Sequence, residues 1–366
     1  GSTFDVVVYD LTARTLTVIA QNGFTPCHAR SGHVIYQQGQ GGPLMALPFD
    51  VEQRSATGPA FPVISDLGSR VSIQTRLFTL SEDGTLVYIP KSPALEGGEL
   101  VWMDRDGTST PIVDVGRIVD MPRVSHDGRH IAFRAPAPDC EIWVHEVERG
   151  VTSRVTREGD SHGIVWLPGD ERLAFARVVQ PPNWSIVASR ADGSGPIERL
   201  LDPMVPRGFA SSCTPDGQYL LICAETETGS DVYLGNADDK SVRPLLHSDF
   251  RESAAVFSPD GHFIAYVSDE DGSEDVYVQP FPALDSRHKI STGGGTDPVW
   301  SRDGKELFFV TDRALMVVET ASDPNFVAGR PRALVEPAPS NTGSSGLACY
   351  DVSADGQRFL MVRERS

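Results

Sequence analysis

Apolar and polar residues alternate along this chain over short runs, and turn-forming residues break the runs at near-regular intervals. Alternation with a period of two marks a half-buried strand, and no 3.6-residue period holds over a convincing length, so the pattern predicts an all-β chain. The strands recur as a unit, in which a short apolar strand leads to an Asp-Gly turn and a second apolar strand follows. The segment from Phe257 to Tyr266 (Phe-Ser-Pro-Asp-Gly-His-Phe-Ile-Ala-Tyr) is the clearest copy. Others begin at Leu80, Arg123, Cys213, Trp300 and Val352, and two degenerate copies begin at Ala29 and Trp166.

The glycines that mark the turns are Gly32, Gly84, Gly128, Gly169, Gly217, Gly261, Gly304 and Gly356, at spacings of 52, 44, 41, 48, 44, 43 and 52 residues. A period of about 40–50 residues belongs to a four-stranded propeller blade. Asp-Gly between two apolar runs is a strong hairpin signal, because glycine accepts positive φ. Each hairpin is followed by a third alternating run, such as the one from Asp275 to Val278, and then by a short fourth.

The two ends complement each other. Residues Phe4 to Asp10 read as a third strand and Leu16 to Ala20 as a fourth, while Leu347 to Val362 supplies a first and a second. The expectation is one domain over residues 1–366, an eight-bladed β-propeller of four-stranded antiparallel blades. Its closing blade takes outer strands from 1–20 and inner strands from 343–366, which removes an open edge. The alternative is seven blades, with the weak first copy as an insertion.

Charge narrows the partners. With 32 basic and 50 acidic residues the net charge is −18, which repels phosphate backbones and argues against nucleic acid or an anionic membrane as partner. No run of apolar residues is long enough to span a bilayer, so no membrane insertion is predicted, and the chain is expected to be a monomer. The five cysteines, Cys27, Cys140, Cys213, Cys223 and Cys349, form no C-x-x-C pair, which suits free thiols and leaves a disulfide open.

The Ser-Pro-Asp-Gly hairpin followed by Asp-Val-Tyr-Val resembles the TolB-type propeller repeat of bacterial envelope proteins. Several stretches look like the propeller sensor region of bacterial serine/threonine protein kinases, namely Gly32 to Tyr36, Ala46 to Asp50, Leu100 to Gly107, Val276 to Pro282 and Ile290 to Trp300. That resemblance implies an envelope or extracytoplasmic location and a sensory role, although a cytoplasmic one stays open. A kinase-type Gly-rich loop and a His-Arg-Asp motif are absent from the sequence. The propeller of prolyl-oligopeptidase-type peptidases is also similar, but the chain contains no Gly-x-Ser-x-Gly elbow, since Gly343 to Gly346 is one residue too short.

In a propeller the loops that lead into the first strands converge on one face, where ligands gather. The residues expected there are His28, Arg30, Gln74, Arg76, Asp120, Arg123, Asp160, His162, Arg207, Arg251, Glu252, Asp297, Cys349 and Tyr350. Arginines could grip a carboxylate or phosphate in a bidentate fork. His28, His162 and Asp297 are the candidate metal ligands, for Ca²⁺ or Zn²⁺ in the channel. Trp102, Trp143, Trp166 and Trp300 fall at core positions, whereas Trp184 follows a longer loop and is expected at the surface.

The first functional reading is a non-enzymatic binding or sensory propeller for a peptide, protein, glycan or small polar ligand. The alternative is a metal-assisted hydrolase of esters, lactones or phosphotriesters at the channel mouth. A polysaccharide lyase using Tyr350, His28 and Arg30 is a third.

Overall fold

The computed structural model describes residues 4–11, 13–39, 42–65, 67, 77–81, 83–90, 98–116, 119–135, 140–157, 161–180, 183–202, 207–226, 229–322, 326–336 and 347–364. Among these the regular elements are all strands, paired antiparallel, with no helix. Among the described residues no helix is long and apolar enough to cross a membrane. The chain divides into two compact units, residues 1–96 and 97–365.

In the unit of residues 1–96, Gly23–Ala29, His33–Gln38 and Leu44–Asp50 form a sheet whose outer edge is shared by Ser55–Ala56 and Phe61–Ile64. Among the described residues Val6–Asp10 pairs only with Thr15–Ala20, and Phe78–Leu80 only with Leu86–Tyr88.

Among the described residues the unit of residues 97–365 holds six sheets. Five follow chain order and start at Asp120–Val124, Ser161–Trp166, Gly208–Cys213, Glu252–Phe257 and Thr296–Trp300. The sixth combines Asp351–Val352 and Arg358–Glu364 with Gly98–Asp104 and Ser109–Asp114. The first strand of each sheet packs beside those of its two neighbours, and the sixth lies between the first and the fifth. No sheet closes on itself, so the ring is completed by packing between sheets. The second strands, such as His130–Ala135 and Phe263–Ser268, are buried on both faces between neighbouring sheets. Phe133, Phe175, Ile222 and Ala265 are fully buried there.

The closing strand is a correction. The C-terminal strands pair with Gly98–Asp104, not with residues 1–20, in an unbroken register from Gly98↔Glu364 to Asp104↔Arg358. The local contacts explain the choice. Leu100 and Leu360 are both fully buried, worth about 1.5–3 kcal/mol each. Arg358 lies 4.8 Å over the Trp102 ring, Arg105 donates to the Gly356 carbonyl at 3.0 Å and pairs with Glu306, and Arg363 bonds Glu99 at 3.1 Å. Among the described residues six sheets therefore surround the channel of this unit, and the expected count of eight blades, or seven, is not shown. The other two repeat hairpins, at Gly32 and Gly84, belong to the unit of residues 1–96.

All eight marker glycines have positive φ, from 68° at Gly356 to 92° at Gly84. A side-chain clasp accompanies most of the turns. The Ser258 hydroxyl donates to Asp260 at 2.5 Å, the same carboxylate accepts the His262 amide at 3.0 Å, and Ser258 Oγ accepts the Phe263 amide at 2.9 Å. The arrangement repeats at Ser125–Asp127, Thr214–Asp216, Ser301–Asp303 and Ser353–Asp355. Side chains thus satisfy turn amides that the ladder leaves over, which is why Ser-x-Asp-Gly recurs.

Candidate functional site

On the axis of the 97–365 unit lies a cavity of about 400 Å³, lined by the first strand of all six sheets. Arg123, Val165, Ser212, Val256, Val299 and Asp351 occupy the same position in successive first strands, one residue before the strand's last. The lining continues to His126, Pro215, Pro259 and Arg302 in the Asp-Gly turns. The cavity therefore reaches the turn side of the sheets, whereas the sequence placed the site at the lead-in loops.

The polar groups at this mouth are tied together. Asp351 accepts the Val124 amide at 2.7 Å and lies 3.8 Å from Arg302, which donates to the Val124 carbonyl at 2.9 Å. Arg123 donates to the Pro122 carbonyl at 2.8 Å, and its own carbonyl accepts Trp166 Nε1 at 3.0 Å. The Trp300 indole N–H is buried with no acceptor. Cys213 lines the wall, and burial pushes its thiol up to about 12, so it is not a ready nucleophile.

The first strands owe their shape to bulges. Pairing with the second strand slips at Asp120/Arg123, His162/Val165, Ala210/Ser212, Ser253/Val256 and Thr296/Val299. Four of these bulges carry a left-handed residue, Met121 (φ 50°), Gly163 (64°), Ala254 (51°) and Asp297 (55°). A bulge inserts one residue and re-aims the next side chain.

Of the expected site residues, Arg123 and Tyr350 line the cavity. Tyr350 is buried, its hydroxyl donates to the Asp297 carbonyl at 3.0 Å, and burial followed by the Asp297 charge raises its pKa well above the usual value. Cys349 is pushed up to about 12 by burial and then by Asp297. Asp120 forms a forked pair with Arg134, 2.7 Å from Nε. Arg134 also donates to His162 Nδ1. Glu252 is buried, accepts the Ser248 hydroxyl through Oε1, and has an Oε2 with no partner. Arg251 is exposed. His28 and Arg30 are exposed in the unit of residues 1–96. Gln74, Arg76 and Asp160 lie outside the described residues.

Among the described residues no three His, Cys, Asp or Glu side chains come together to hold a metal ion, and neither His162 nor Asp297 belongs to such a group. His162 has a guanidinium against Nδ1 and the Trp184 and Phe209 rings at 5.5 and 5.2 Å. Trp184 is not a surface residue. It lies in Asn183–Arg190 with 9% of its surface exposed, edge-on to Phe209 at 5.8 Å. Sequence reading missed His126, Arg302 and Asp351, whose only signal was their place beside the Asp-Gly turns.

No protein-family model matches the chain. Among solved structures it is similar to a TolB-type protein of Agrobacterium tumefaciens, with TM-score 0.59 and 18% identity over 74% of this chain and 99% of that one. It is also similar to TolB of Acinetobacter baumannii, with TM-score 0.50 and 14% identity over 91% of this chain and 79% of that one. These likenesses show a TolB-type β-propeller fold.

Proposed function

We propose that this TolB-type propeller is a binding module, and that it takes a peptide, glycan or small polar ligand into the axial cavity of its 97–365 unit. The observation that carries the reading is the cavity itself. The first strands supply a wall of Val165, Val256 and Val299 together with the charged groups Arg123 and Asp351, and Arg302 joins them from an Asp-Gly turn. A concave, largely apolar pocket with a few placed polar groups is the usual form of a ligand site. The Arg302–Asp351 pair at its mouth offers one donor and one acceptor group, which suits a ligand with both, such as a peptide backbone or a sugar. The resemblance to envelope repeats and kinase sensor regions supports an extracytoplasmic sensory setting.

The test is a plug. Ser212→Trp places a large ring in the cavity without touching the Arg302–Asp351 pair. Wild type and variant are compared on an array of short peptides and oligosaccharides, with thermal melting as the folding control. Ligands held by the wild type and lost by a folded Ser212→Trp support the reading. Ligands held equally by both place binding elsewhere and overturn it.

A further inference from the structure

Arg207 stands at the other end of the same sheets, directly before the strand Gly208–Cys213. Its guanidinium carbon lies 5.0 Å from the Trp184 ring centroid and 4.8 Å from that of Phe209. Two aromatic faces fix the plane of a cation and remove much of its rotamer freedom before any partner arrives. The rings are themselves held by each other and by His162, which is held by Arg134, which is held by Asp120.

Among the described residues Arg207 meets no hydrogen-bond acceptor: its Nε is buried without a partner, and the carboxylate paired with it, that of Glu225, lies 4.0 Å from Nη1 and is 60% exposed. A pair at that distance in open solvent contributes little. Acid is not scarce in a chain of net charge −18. Arg105, Arg134, Arg154 and Arg287 each meet a carboxylate within hydrogen-bond reach. The side chain of Arg207 is one-third exposed although its Nε is not, so the exposed part lies toward the guanidinium end. Arg251, on the far side of the strand pair Tyr219–Thr226 and Gly229–Asn236, stands over Gly229 and adds a second cation at this end.

We propose that Arg207 is the anchor of a carboxylate-binding site at the lead-in end of the 97–365 unit, separate from the axial cavity. A clamped guanidinium presents a fork that matches a carboxylate in shape and charge. The carboxylate can come from a peptide C-terminus or from an acidic sugar.

The experiment titrates the protein with three probes, an acetylated tripeptide with a free C-terminal acid, the same tripeptide as its amide, and glucuronate. Trp184 emission and calorimetry are the readouts, because binding at Arg207 alters the cation on that ring. The expected result is saturable binding of the acid peptide, of glucuronate, or of both, with none of the amide, and whichever acid binds identifies the source. Arg207→Gln should weaken that binding by about tenfold or more, the factor that one charge-assisted hydrogen bond carries. Arg207→Lys should recover only part of it, since an ammonium cannot form the fork. Ser212→Trp should leave it unchanged, which separates this site from the axial one. Absence of saturable binding by either acid, or equal binding by wild type and a folded Arg207→Gln, overturns the proposal.

Discussion

Asp170 holds His126 in the turn of the neighbouring sheet. One carboxylate oxygen accepts the His126 backbone N–H at 2.9 Å and lies 2.6 Å from His126 Nδ1, and the other accepts the Asp127 N–H at 2.9 Å. An ionised carboxylate can only accept, so Nδ1 donates. Asp170 belongs to a degenerate repeat with no hydroxyl clasp of its own, and it secures the turn of the preceding sheet, where His126 lines the cavity. Asp170→Ala should lower the unfolding free energy by about 1–3 kcal/mol, because two amides lose their acceptor. Urea unfolding checks this, and a midpoint equal to that of wild type would show the turn to be held elsewhere.

The clasped aspartates make the fold acid-sensitive. Asp216 and Asp355 are held below the usual carboxylate range, first by the hydroxyls of Thr214 and Ser353 and then by the amides of Gln218 and Gln357. Asp303 is lowered first by the Ser301 hydroxyl. A depressed folded pKa contributes stability that is present above the unfolded value of about 3.9 and is lost as pH falls through the lower folded value. Urea midpoints should therefore fall steeply below about pH 4. A Thr214→Ala, Ser301→Ala, Ser353→Ala variant should be less stable near neutrality and should lose less on acidification. An unchanged acid slope in the triple variant would remove the clasps as its cause.

Glu252 acts in the opposite direction. Burial raises its pKa, opposed by Ser248 and reinforced by Asp231 and Asp269. A raised folded pKa means that the folded state holds the proton more tightly, so the penalty is absent below the unfolded value of about 4.3 and grows as pH rises toward the folded one. Glu252→Gln should raise the melting temperature at neutral pH and leave it nearly unchanged in acid. A neutral-pH melting temperature that falls instead would show that the charged form is held by a partner.

Gly163 tests the bulges. A Cβ there would sit 2.7 Å from the Ala210 carbonyl oxygen, at φ +64°. Gly169 has positive φ too, but a Cβ there would meet nothing within 4 Å. Gly169→Ala should cost about 1 kcal/mol from backbone strain alone, and Gly163→Ala clearly more, since the backbone must also move. Equal losses in thermal unfolding would mean that the strands of Gly163 and Ala210 separate at no cost.

The repeat was legible because Asp-Gly turns need glycine at positive φ, and each of the eight markers has it. The closing partner was not, because Phe4 to Asp10 and Leu100 to Met103 carry the same alternation. The choice rests on Arg358 over Trp102 and Arg105 on Gly356, contacts that no period-two pattern records. Arg123 and Tyr350, which the sequence offered as entry-loop residues, line the cavity. The end at which the cavity opens could not be read. A bulge at Met121 or Ala254 shifts alternation by one residue and exchanges the faces of the rest of the strand, and neither residue type announces positive φ.

The pairing of Gly98–Asp104 with Arg358–Glu364 also sets a schedule for synthesis. Within this unit the strand Gly98–Asp104 is made first and waits, its hydrogen-bonding edge open, until Arg358–Glu364 has been made. Joining ends so far apart adds only a slowly growing entropic cost, but it delays the step that makes the ring cooperative. A chain cut short before Arg358 would keep five sheets and an unpaired Gly98–Asp104 edge able to recruit another chain. Closure of this unit thus waits on Arg358–Glu364, and a product truncated before that strand leaves Gly98–Asp104 open along one edge.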